Sequence, residues 1–295
     1  MSRGVTSAPA IGSGRTVMVM SQHAAAPASA ALLDLVRDIA VRAAEFALDA
    51  RRAGVSVVAT KSTPVDIVTA VDRDTETLIR SLILEARPDD GIVGEEDATH
   101  IGMSGLDWVV DPIDGTVNFL YDIPAWSVSI AVVEGAGGGA IGGTTIAGVV
   151  VNPVTGELFE ATAGGGARLS GRELAVNTAV PLGSALVGTG FGYAAERRRE
   201  QAAVLLELLP KVRDIRRAGS AALDLCAVAA GRLDAYYERG LNAWDYSAGA
   251  LIAREAGARL GGLRGGREGT ELLIAAAPGL YEELAGALGE AGLDV

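Results

Sequence analysis

The chain switches between two hydrophobic rhythms. From Ala30 the residues Leu32, Leu33, Val36, Ile39, Ala40, Ala43, Ala44 and Ala47 recur at spacings of three and four, the mark of one buried helix face, and the pattern predicts a helix reaching Arg52. A second helix is expected from Asp72 to Ala86. Short apolar runs then take over, "GIVGE", "DWVVD", "WSVSIAVVE", "TTIAGVVVN" and "GELFEAT", and the Gly, Pro and Asn between them predict an antiparallel meander. The stretch "GAGGGAIGG" (135–143) reads as a hairpin turn, because it opens no helix as a phosphate-binding loop must. Beyond "SALVGTGFG" the pattern alternates, with helices expected over 195–210, 220–231, 245–256 and 279–290 and strands over 212–217, 234–238 and 271–276. The glycines of "GTGFG" are not spaced as a dinucleotide fingerprint requires. The expected organisation is a Ser-, Ala- and Gly-rich extension over 1–29, read as disordered, an α+β half over 30–180 with an antiparallel sheet, and an α/β half over 181–295.

Composition narrows the function classes. With 295 residues, 49% of them hydrophobic, the chain can bury a sizeable core. No apolar run approaches the roughly 18 to 20 residues of a membrane-spanning helix, and "VMVM" is too short for a signal peptide, so a cytoplasmic protein is expected. The single cysteine, Cys226, excludes an intramolecular disulfide and sits in the apolar pattern "SAALDLCAVAAG", where it reads as a small core hydrophobe. The net charge of -12 argues against broad binding to nucleic acid or anionic membrane. A small anionic substrate is still compatible, because a bound cation reverses the field within one site. The cluster "ERRRE" (196–200) reads as the solvated start of a helix.

The candidate chemistry centres on "WVVDPIDGTVNF" (108–119). Asp111 and Asp114 bracket a proline that fixes one backbone dihedral, so their carboxylates are held close. Two unit charges about 4 Å apart repel by roughly 4 kcal/mol at an effective dielectric of 20. Such a pair calls for a cation or a raised pKa, and a divalent metal meets the need. Gly115 permits a tight turn, and Thr116 then offers a hydroxyl and an amide suited to a phosphate oxygen. Two further acidic clusters stand at element ends, Glu95 and Glu96 in "GIVGEED" and Asp245 in "NAWDYSAGA". Ligands drawn from oxygen alone fit Mg²⁺ or Mn²⁺ better than Zn²⁺. The two histidines, His23 and His100, fall in the extension and in a polar loop, which leaves Ser-His-Asp, Cys-His and phosphohistidine chemistries without players. Taken singly, each cluster also fits a plainer role: Asp-Gly as a turn pair, "GEE" as a solvated loop, Asp245 beside a helix N-cap.

Taken in order, "GEE", "DPIDGTVNF" and "WD" resemble the inositol monophosphatase family of Mg²⁺-dependent, lithium-sensitive phosphatases. "KSTPVDIVTAVD" (61–72) looks like that family's mobile loop, and "RRAGSAALDLCAVAAGRLDAYYERG" (216–240) like its substrate-side helix and strand. The resemblance covers residues 30 to 292. It implies a layered αβαβα sandwich, usually a homodimer, that hydrolyses phosphate monoesters by direct attack of metal-activated water without a covalent phosphoenzyme. By motif match, Glu95, Asp111, the Ile113 carbonyl, Asp114 and Asp245 would hold two or three Mg²⁺ ions. Thr116, paired with Asp72, would position the attacking water, with Glu95 as a further acceptor. The Gly115 and Thr116 amides would contact phosphate, while Gly219, Ser220, Ala221, Glu238 and Asp245 would line the inositol side. Lys61 matches the mobile-loop lysine near the metals.

Three features depart from the family pattern: Asp97 after "GEE", Tyr246 after Asp245, and the N-terminal extension. The resemblance makes inositol 1-phosphate the expected substrate. Fructose 1,6-bisphosphate, histidinol phosphate and 3'-phosphoadenosine 5'-phosphate are alternatives that use the same metal chemistry. A regulatory role in contact with transcription machinery is the alternative from another class.

Overall fold

The structure is a computed structural model that describes Met1 and residues 25–54, 57–60, 67–137 and 142–293. Lys61, His23 and the rest of residues 2–24 lie outside the described residues. Helix α1 (Ala25–Ala53) starts five residues before the periodic pattern does, so the expected extension over 1–29 ends earlier than its composition indicates. Its buried face, Val36, Ile39, Ala40, Ala43, Ala44 and Ala47, follows the predicted spacing. A ribbon of β1 (Val57–Thr60) and β2 (Ile67–Thr69) leads into α2 (Ala70–Ala86). Thr69 and Asp72 form a reciprocal capping box there, which satisfies two of the helix's orphan amides.

The next strands are β3 (Gly91–Gly94) and β4 (Leu106–Asp114), followed by the short helix α3 (Thr116–Tyr121). Strands β5 (Ser127–Glu134), β6 (Thr144–Asn152), β7 (Glu157–Thr162), β8 (Ala167–Leu169) and β9 (Arg172–Glu173) then add in sequence order. Together β3 to β9 make a seven-stranded sheet. The hairpin expected over 135–143 joins β5 to β6 in antiparallel pairing, though residues 138–141 lie outside the described residues. One correction concerns the meander: β3 pairs with β4 in parallel, because the chain between them crosses back to the starting edge instead of turning.

The remaining elements are β10 (Leu186–Thr189), α4 (Ala195–Leu208), β11 (Asp214–Arg216), α5 (Ala221–Ala229), β12 (Ala235–Glu238) and α6 (Ala243–Glu255). They close with β13 (Arg259–Gly261), β14 (Leu273–Ala276) and α7 (Pro278–Glu290). The second sheet is mixed, in the order β11-β10-β12-β14-β13. Strand β10 runs parallel to β11 and β12, and β14 runs antiparallel to β12 and β13.

Alternating side chains divide the interior into layers. Trp108, Val110, Ile130 and Val149 pack on α1 and α2. Val109, Ala131 and Val150, from the opposite face of the same sheet, pack on α5 and α6. Tyr236 and Ala275 close that second layer from the five-stranded sheet, while Tyr237 and Ile274 face α4 and α7. The order is therefore helix, sheet, helix, sheet, helix. Cys226 is fully buried in the middle layer, where burial pushes its thiol well up. This shared core joins residues of the 30–180 half to residues of the 181–295 half, and the interior cavity opens where those halves meet.

Candidate active site

The site begins with an irregularity in a strand. Asp111 pairs with Ser129 and Asp114 with Ser127, and the ladder shifts between them. Proline has no amide to give to a ladder, so Pro112 is accommodated at this bulge. The Ile113 amide donates to Asp111 Oδ1 at 3.0 Å, folding the carboxylate over its own turn. At Gly115 φ is +100°, and an added β-carbon would stand 3.1 Å from both the Ala125 and Gly219 carbonyl oxygens. Only glycine fits this corner. The chain therefore reverses from the end of β4 into α3 at once, and Thr116 lands on the same cavity wall as Asp111 and Asp114.

Asp114 is clamped onto the start of α5. Ser220 Oγ donates to its Oδ2 at 2.5 Å, the Ala222 amide to Oδ2 at 2.8 Å and the Ala221 amide to Oδ1 at 3.3 Å. A helix N-terminus suits an anion. Burial nevertheless pushes Asp114 up to about 6, against the opposing pull of these donors. Asp245, in the first turn of α6, closes a capping box by accepting the Asn242 amide at 2.6 Å. Loss of water, followed by the charges of Glu95 and Asp114, drives it well above the usual carboxylate range. Glu238, at the end of β12, accepts the Tyr236 hydroxyl at 2.5 Å, yet burial raises it to about 7.

These residues face one cavity of about 510 Å³. Glu95, Asp111, Ile113, Asp114, Gly115, Thr116, Gly219, Ser220, Ala221, Glu238 and Asp245 all line it. Asp72 stands behind the wall, where its Oδ1 accepts the Thr116 hydroxyl at 3.1 Å. No three carboxyls among the described residues are already gathered around one point. Asp114 and Asp245 are turned onto backbone amides instead. Asp97 is exposed and off the cavity wall, so its extra charge does not enter the site. Tyr246 packs into the middle core layer behind Asp245.

Four charged wall residues were not anticipated. Asp224, 4% exposed, is pushed up to about 8 by burial and by the charges of Asp114 and Glu238. It was hidden in an apolar helical run, although its charge there was itself a signal. Arg217, Arg239 and Arg197 bring basic groups to the same cavity. "ERRRE" is the exposed start of α4, as expected, and from it the Arg197 guanidinium also reaches over Gly240, whose missing side chain leaves the space.

An acidic cavity spanning two sheets, with a hydroxyl–carboxylate pair at its edge, meets a direct match in sequence. The model of the inositol monophosphatase family fits residues 30–292. The chain belongs to the inositol monophosphatase family. The inositol-1-monophosphatase SuhB of Mycobacterium tuberculosis (strain H37Rv) is 49% identical over 258 residues, 84% of this chain and 86% of the relative. The Nus factor SuhB of Salmonella typhimurium (strain LT2) is 41% identical over 203 residues, 68% of this chain and 73% of the relative. The crystal structure of the extragenic suppressor protein suhB from Bartonella henselae superposes with a TM-score of 0.79 at 34% identity, covering 88% of this chain and 98% of that one. Membership in the inositol monophosphatase family supports phosphatase activity and explains the layered architecture. Among the described residues no helix is long and apolar enough to cross a membrane.

Proposed function

We propose that the protein is a Mg²⁺-dependent phosphomonoesterase that hydrolyses inositol 1-phosphate to inositol and phosphate. The observation that carries this reading is the convergence of Glu95, Asp111, Asp114 and Asp245, from three separate stretches of chain, on the cavity edged by Thr116. The donor set fits a hard divalent ion, since the described cavity wall holds carboxylates and neither histidine nor cysteine. Burial raises Asp114, and burial together with the charges of Glu95 and Asp114 raises Asp245, so both carboxylates stand in a poorly solvated site where a bound cation would favour their ionised form. Glu95, Asp111, Asp114, Asp245 and the Ile113 carbonyl would hold two or three Mg²⁺ ions, with Mn²⁺ a substitute. Bound there, the ions would supply Lewis acidity toward phosphate and a lowered pKa for water.

The remaining work belongs to the chain. Thr116 directs its proton toward Asp72, which leaves the hydroxyl oxygen able to accept a hydrogen bond from a water and orient it. Glu95 is a further acceptor for that water. The Gly115 and Thr116 amides receive phosphate oxygens. Across the cavity, Glu238 and the Gly219–Ala221 corner face the polyol, and Asp224 adds a carboxyl beside Glu238. A buried polar wall of this kind discriminates by hydroxyl pattern, because a wrong ligand leaves its groups unpaired. The proposal extends on the family resemblance to a cytoplasmic homodimer sensitive to lithium, with Lys61 near the metals.

Two observations favour other readings of the same fold. Arg197 and Arg239 at the cavity suit a second phosphate, as in fructose 1,6-bisphosphate. The relative named as a Nus factor favours an added regulatory role. Phosphate release from inositol 1-phosphate, fructose 1,6-bisphosphate and histidinol phosphate, with Mg²⁺ or with EDTA, separates these. Preference for inositol 1-phosphate that vanishes in EDTA is the expected result. Preference for another ester overturns the substrate, and no release from any of them moves the regulatory reading to the front.

A further inference from the structure

Helix α2 carries two buried carboxylates on one face, Asp72 and Glu76, one turn apart. Asp72 holds Thr116. Glu76 is 0% exposed and faces the end of β3. Its Oε2 accepts the Glu96 amide at 2.8 Å, and its Oε1 accepts the Asp97 amide at 3.1 Å. Arg80 Nε donates to the same Oε1 at 2.8 Å, while Arg80 Nη2 donates to the Asp97 carbonyl at 3.2 Å. The carboxylate lies so close to Gly94 that an added β-carbon there would stand 2.2 Å from Oε1.

Burying a carboxylate costs stability unless donors fill its lone pairs. Three donors do so here, and two of them are the amides directly following Glu95. A helical Glu paired with Arg four residues on needs neither burial nor loop amides to serve helix stability. The glycine at 94 leaves the room that this contact uses.

We propose that Glu76 is a positioning residue, fixing the backbone on the far side of Glu95 so that the Glu95 carboxylate is held toward the metal site. Arg80 braces the same loop. One turn of α2 then sets both the Thr116 hydroxyl and the Glu95 ligand, which otherwise belong to separate stretches of chain. This inference rests on the metal-site reading given under Proposed function.

The test compares the parent protein with Glu76→Gln, which keeps shape but replaces one acceptor oxygen by a donor facing donors, and with Arg80→Met, which removes the brace on Asp97 and one of the three donors to Glu76 but keeps the carboxylate and both loop amides. Three measurements are made: Mn²⁺ titration of metal-free protein by calorimetry, amide exchange at Glu96 and Asp97, and phosphate release against Mg²⁺. Loss of a group that orients a metal ligand typically weakens metal binding about 10- to 100-fold. For Glu76→Gln the expected results are at least a tenfold weaker Mn²⁺ affinity, a matching rise in the Mg²⁺ midpoint, and faster exchange at both amides. The KM at saturating Mg²⁺ stays within about twofold. Arg80→Met moves in the same direction by less, and decides the question if Glu76→Gln does not fold. Unchanged Mn²⁺ affinity with only a lowered Tm would overturn the proposal and leave Glu76 a purely structural residue. If the parent binds Mn²⁺ yet hydrolyses no ester, the substrate reading fails while the Mn²⁺ comparison still decides the role of Glu76. A parent that binds no metal overturns both.

Discussion

The Thr116 hydroxyl donates to the Asp72 carboxylate at 3.1 Å although 44 residues of chain separate them. Asp72 is itself immobilised, buried and closing the capping box of α2 with the Thr69 amide, which donates at 2.8 Å. The hydroxyl is thus held by a group that cannot swing away. In the account above this pair orients water and has little part in holding the ester. Thr116→Val and Asp72→Asn should therefore each lower kcat by about 10²-fold or more, the scale of positioned proton acceptors, with KM for inositol 1-phosphate within a few-fold. Steady-state kinetics check this, and a change confined to KM would contradict it.

Ser220 has two tasks: its hydroxyl donates to Asp114, and it also accepts the Leu223 amide at 3.2 Å as the N-cap of α5. Losing a serine cap costs about 1 kcal/mol. With an unfolding entropy of about 2.1 cal/mol/K per residue, that corresponds for a chain of this size to a Tm lower by about 1–2 °C in Ser220→Ala. Thermal unfolding in EDTA measures it, and a Tm equal to that of the parent would show that the cap bond contributes nothing.

Asp224 gives a pH signature. Its pKa is pushed up to about 8 in the fold, chiefly by burial, from an ordinary value of 3.8. Below about pH 4 both folded and unfolded chains carry the proton, so the residue makes no difference. Between pH 4 and 8 the unfolded chain releases that proton while the folded chain keeps it, so stability falls as pH rises. Asp224→Asn cannot ionise. In EDTA its gain in Tm over the parent should be largest at pH 8 and disappear toward pH 4. An equal gain at both ends would assign the effect to packing.

What was legible in the chain was local. The spacing from Val36 to Ala47 and the strand ending on Asp111 and Asp114 are short-range patterns, and each places its element within a few residues. The parallel pairing of β3 with β4 was not legible, since strand direction depends on where the intervening chain travels and alternation is the same for either direction. Glu95, Asp111, Asp114 and Asp245 could be picked out because acidic residues at element ends are conspicuous. Glu76 could not, because a carboxylate within a helix normally reads as solvated and only the tertiary fold buries it, whereas Asp224 left one signal, a charge inside an otherwise apolar helical run. Arg197 was missed for the opposite reason: its place in a run of charges resembled an ordinary solvated face, and Gly240 opens the space above it.

In the proposed function the carboxylates of this cavity bind divalent metal for phosphate ester hydrolysis. The most direct test is phosphate release from inositol 1-phosphate as a function of Mg²⁺, for the parent and for Asp111→Asn. The expected results are no release in EDTA, saturable activation of the parent by Mg²⁺, and for Asp111→Asn a loss of about 10²-fold or more that excess Mg²⁺ only partly restores. Release that persists in EDTA, or an Asp111→Asn variant with the Mg²⁺ dependence of the parent, would contradict it.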